Sequence, residues 1–69
     1  MKRIINSMED LNEAETNELN SLLYESSQEN RVDGEELAAM FGFLTGAKIS
    51  DDFRDLMVAT MLELRLTSV

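Results

Sequence analysis

The sequence predicts an all-α domain of three helices, paired as a homodimeric helical bundle, and three observations carry that prediction. Apolar residues recur at helical spacing in three segments, each opened by a residue suited to an N-cap. The 69 residues include no Pro and three Gly, so little interrupts those segments. Two of the helices hold more apolar surface than one small core can absorb. The whole of 1–69 reads as a single domain with helices at about 12–27, 34–45 and 51–66.

The first helix is marked by Leu11, Leu19, Leu22 and Leu23, with acids and amides between them. Glu15 falls on the same face as Leu11 and Leu19, which argues against a helix running through from Ser7. Starting at Asn12 removes the conflict. Asn12 then caps, and Glu15 takes the third position of a capping box, where a carboxylate also favours the positive helix end. A short turn over Ser7–Leu11 is compatible with this, and Lys2–Ile5 is the one weak strand signal. The polar run SSQENRV (26–32) reads as a connection.

Asp33 opens the second helix, with Glu36 three residues later as a second capping-box match. Leu37, Met40, Phe41 and Leu44 give the i, i+3, i+4, i+7 pattern of a core face. Gly46 follows the helix end, where a left-handed residue is favoured. Ser50 precedes the third helix, and Asp51 and Asp52 occupy its first turn.

At 100° per residue the third helix carries two apolar stripes. Phe53, Leu56, Met57, Thr60, Met61 and Leu64 form one, which is assigned to the core together with most of the methionines. Val58, Ala59, Leu62 and Leu66 form the other. A core-facing helix uses a single sector a little over ~100° wide. At roughly 25 cal/mol per Å2, the surplus stripe represents several kcal/mol of unburied apolar surface. The second helix repeats the excess, with Ala38, Ala39, Gly42 and Phe43 beside its core face. Ala38, Gly42 and Gly46 stand four apart, a row of small residues that admits a close helix neighbour. These residues of the two helices are therefore expected to form a self-association or partner surface. Oligomerisation is also the one staple open to so small a chain, because Cys and His are both absent.

The net charge of −8 is uneven. Residues 1–36 hold ten acids against three cations, and residues 37–69 hold four against three. Such a balance disfavours direct contact with nucleic-acid phosphates. Glu18, Glu25 and Glu29 mark an acidic surface on the first helix and just beyond it. The opening MKRII has only Ile4–Ile5 as an apolar run, too short for a secretory signal. No apolar block approaches the ~20 residues of a membrane span. A soluble, cytoplasmic protein is expected, with no membrane association.

Three motifs invite functional readings. ENRVDGEELAAM (29–40) resembles an EF-hand calcium loop, with Gly34 at the central turn. In that register Arg31 and Met40 occupy ligand positions, the latter in place of a bidentate carboxylate, so no calcium site is expected. Leu37-Ala38 followed by Phe41-Gly42-Phe43 resembles the first helix and turn of a helix-turn-helix over about twenty residues. The segment that would read DNA, SDDFRDLMVAT, is acidic at the end that meets base edges. The acidic first helix suggests nucleic-acid mimicry, but it spans only about two dozen Å. Carboxylate pairs such as Glu35–Glu36 and Asp51–Asp52 are adjacent and do not face one another on a helix. No serine has a histidine base. No catalytic residue, metal site or cofactor is expected.

The function expected is therefore that of a small acidic, non-enzymatic protein that binds another protein and modulates it, as an inhibitor or adaptor. A helix-turn-helix-like transcription-associated regulator, or an acidic mimic aimed at a DNA-binding protein, is the alternative. Compact accessory factors of this kind are common in phage and mobile-element genomes, and a phage-like accessory factor is the expectation here.

Overall fold

The computed structural model describes residues 2–29 and 33–67. Three helices make up most of the molecule: α1 (Glu13–Ser27), α2 (Gly34–Thr45) and α3 (Asp51–Thr67). The part of the expected connection at 30–32 lies outside the described residues.

Local chemistry sets the helix starts. Asn12 Oδ1 accepts from the Glu15 N–H at 2.8 Å, while Glu15 Oε1 accepts from the Asn12 N–H at 3.0 Å, the reciprocal capping box. Asp33 caps α2 one position earlier than a capping box requires, accepting from the Glu35 N–H at 3.0 Å. Ser50 Oγ accepts from the Phe53 N–H at the start of α3. Gly46 ends α2 with φ +69°, the left-handed conformation that a Cβ disfavours. At the end of α1, Arg65 reaches across from α3 and donates to the carbonyls of Ser27 and Glu29 at 3.3 and 2.6 Å. A cation there suits the negative helix end.

Two short strands join the helices, and only the first carried a sequence signal. β1 (Ile4–Ile5) pairs in parallel with β2 (Lys48–Ile49), Ile4 opposite Lys48 and Ile5 opposite Ile49. The Lys48 N–H donates to the Arg3 carbonyl and the Ser50 N–H to the Ile5 carbonyl. A 3-10 turn at Met8–Asp10 then leads into α1, its carboxylate Asp10 accepting from the backbone of Asn6 and Ser7.

The core gathers Ile5, Leu19, Leu23, Leu37, Phe41, Ala47, Phe53, Met57 and Met61. Phe41 and Phe53 stack at its centre, with ring centroids 6.1 Å apart and planes at 25°. Three residues expected in the core stand outside it. Leu56 and Leu44 are 44% and 52% exposed, and Met40 is exposed beside Leu44. Leu56 borders the cleft beside Met8 and Thr60, and for the two residues on α2 the cause lies in the small residues. A Cβ on Gly34 would come within 2.9 Å of Val58 Cγ2, and one on Gly42 within 3.0 Å of the Ala47 carbonyl oxygen. These glycines draw α3 and the β2 segment onto one flank of α2. The inward meridian of α2 turns toward that flank, and Met40 and Leu44 are left on the far side.

Candidate interaction surface

The residues expected to form one association surface divide into two groups. On α2, Ala38, Ala39, Gly42 and Phe43 do border one shallow hollow, alongside Lys2, Glu35, Ala47 and Ile49. Ala38 and Gly42 are half-buried against their own chain, however, and Gly46 serves as the helix C-cap. The small-residue row is thus largely used within the fold, as the contact with Ala47 and Ile49 shows. On α3, Val58 packs partly on the core and against Gly34. Ala59, Leu62 and Leu66 remain exposed, Leu66 at 76%.

The largest apolar exposure on α2 lies a quarter-turn and more from the expected small-residue row. Phe43 is 88% exposed, the most open large apolar side chain of those described. Ala39, Met40 and Leu44 extend its surface around the helix, at i−4, i−3 and i+1. Leu22 of α1 meets them across the shallow groove between the two helices. The groove continues along α1 past Asn17, Glu18, Ser21 and Glu25, sharing Leu22 and Leu44 with its apolar end. Its floor is apolar and its borders carry Glu18, Glu25 and Glu36. Sequence reasoning missed the parts played by Met40, Leu44 and Leu22, because their spacing suits a core face as well as an outer one. Glu29, the third expected acidic residue, is exposed just past α1 and does not line the groove.

Ion pairs elsewhere serve the fold. Arg3 forks onto Glu15 with Nη1 at 3.0 Å and Nη2 at 2.7 Å, the second nitrogen also donating to the Asp10 carbonyl. This contact, then the Asn12 N–H, holds the Glu15 carboxyl below the usual glutamate value. Arg54 of α3 pairs with Glu35 of α2 and with Asp51 and Asp55 of its own helix. A smaller cleft of about 160 Å3 lies between α1 and α3, lined by Met8, Leu19, Leu23, Phe53, Leu56 and Met57.

Among the described residues, no three Asp or Glu side chains stand together as a metal site, and no buried side-chain polar atom lacks a partner. No helix of the described residues is long and apolar enough to cross a membrane. Compared with family models, curated proteins and solved structures, the chain matches none of them.

Proposed function

We propose that this protein acts by binding another protein and modulating it, without catalysing a reaction, and that the α1/α2 groove is the binding surface. The observation that supports this most is the exposure of Phe43 in line with Met40, Leu44 and Leu22. A contiguous apolar patch rimmed by polar residues marks an interaction site more often than it marks idle surface. Aromatic and methionine side chains are also the types that anchor interfaces. A DNA-reading role is less well supported: Asp51 and Asp52, both exposed, open α3 and repel phosphate.

The test is site-specific photo-crosslinking in the source cell. A benzophenone side chain at Phe43 should give discrete adducts with another polypeptide. The same group at Glu9, exposed in the 3-10 turn and away from both apolar surfaces, should give none. Equal labelling from both positions, or none from Phe43, would rule the reading out.

Self-association is a second reading, supported by the exposed Ala59, Leu62 and Leu66 on one face of α3. Two copies meeting along that stripe would form a homodimeric bundle with two-fold symmetry and leave the α1/α2 groove free. Sedimentation at micromolar concentration should then report twice the 7.8 kDa chain mass. A folded monomer at that concentration excludes it.

A further inference from the structure

We infer that the α1/α2 groove receives a basic amphipathic helix of another protein, its apolar stripe on Leu22, Met40, Phe43 and Leu44 and its cationic flanks over Glu18, Glu25 and Glu36. This rests on the reading that the groove binds protein.

Both walls of the groove are helical, and neither strand of the β1–β2 pair borders it. It therefore offers side-chain ridges and no backbone edge for a strand to join. Met40, Phe43 and Leu44 form one ridge at i, i+3, i+4, and Glu18, Leu22 and Glu25 form the facing one at i, i+4, i+7. An amphipathic helix seats its i, i+3, i+4, i+7 anchors between ridges of that kind.

Charge selects the class of helix. The carboxylates of Glu18, Glu25 and Glu36 border the apolar floor, and no Lys or Arg is among the residues lining it. The ion pairs of Arg3 and Arg54 engage other acids: Glu15, Glu35, Asp51 and Asp55. Three carboxylates around one apolar strip complement a helix with Lys or Arg on both sides of its apolar stripe. The same rim disfavours a second copy of this chain as occupant, since a two-fold pairing on the groove would bring these carboxylates toward their own duplicates in a protein of net charge −8.

The experiment uses three fluorescent synthetic helices with an identical leucine stripe, their flanks all Lys, all Gln or all Glu. Anisotropy is read at low and at physiological salt, with circular dichroism confirming that each variant is folded. The Lys helix should bind saturably and tighter than the Gln helix by about tenfold or more, a gap that narrows as salt shortens the screening length to about 8 Å. The Glu helix should not bind. Phe43→Ser and the double variant Glu18→Lys/Glu25→Lys should each weaken the Lys helix by about tenfold.

Lys-helix binding that Phe43→Ser leaves unchanged would be unspecific attraction to an acidic protein and would overturn the inference. Equal binding of the Gln and Lys helices would overturn the basic-partner assignment while leaving protein binding by the groove intact. Failure of all three helices would remove the helix-docking inference, and the crosslinking result at Phe43 would then decide the functional reading separately.

Discussion

Arg3 and Glu15 meet through both terminal guanidinium nitrogens and both carboxylate oxygens, so that the residue before β1 is clamped to the capping box of α1. One side chain thereby fixes the entry of the first helix and the position of the N-terminal strand. Bidentate geometry is the form of surface ion pair with the best-defined direction.

That contact gives stability a particular pH dependence. Arg3, with Asn12 behind it, holds the folded Glu15 below the usual value, whereas the unfolded chain lacks both partners. The unfolded state therefore takes up the proton first as pH falls, and this contribution drains away with acid. It should be complete above the ordinary glutamate value of about 4.3 and lost as pH drops through the lower folded one. Thermal midpoints of the parent and Glu15→Gln should differ by a constant amount at neutral pH and converge below that value. A difference that persists into strong acid would contradict this.

The stacked pair at the centre leaves no room for truncation. Phe53→Ala removes a fully buried ring against Phe41, at a cost of about 3–5 kcal/mol. At roughly 0.05–0.15 kcal/mol per residue, a domain of 69 residues holds about 3.5–10 kcal/mol, so the loss removes from about a third to all of it. Calorimetry should show no cooperative transition near the parent's. A variant that melts within a few degrees of the parent would mean the ring is not central to the core.

The glycines of α2 differ in what they require. Gly46 needs its left-handed φ, and a methyl group there would meet nothing within 4 Å, so Gly46→Ala should cost about 1 kcal/mol through backbone strain alone. Gly42 has ordinary helical dihedrals but abuts the Ala47 carbonyl. Gly42→Val should therefore destabilise by about 1–3 kcal/mol through overpacking. Urea titration of the two variants separates the causes, since Gly46→Asn should recover much of the loss and no comparable swap rescues position 42.

Phe43 should matter little to the fold. With most of its surface in solvent, Phe43→Ser is expected to shift unfolding free energy by no more than about 0.5 kcal/mol. Urea unfolding with an unchanged slope is the measurement. A loss of several kcal/mol would place the ring in a structural role and weaken its assignment to a docking surface.

Short-range chemistry is legible in the sequence, and its long-range consequences are not. Asn12 with Glu15, Asp33, Ser50 and Gly46 mark helix ends through contacts a few residues apart. The β1–β2 pair joins two-residue strands too short to show alternation, so Lys48–Ile49 carries no strand signature and nothing in the sequence announces the full burial of Ile5. The faces of α2 are ambiguous for a related reason. Its apolar residues span more than one sector, and the choice among them depends on where Val58 and Ala47 approach Gly34 and Gly42. The acidic border at Glu18 and Glu25 is visible in the sequence, but its meeting with Leu22, Met40 and Leu44 is a product of the tertiary fold.

The pairing of Ile4 with Lys48 also orders events in time. β1 leaves the ribosome long before its partner, and Ile5 has no finished core to enter until α2 and the segment after it have emerged. Closing so long a loop carries an entropic cost that local helix formation does not. The helices are therefore expected to assemble first and the N-terminal strand to dock last. A fusion that delays or strains residues 2–5 should slow the final folding phase more than it alters the helical content.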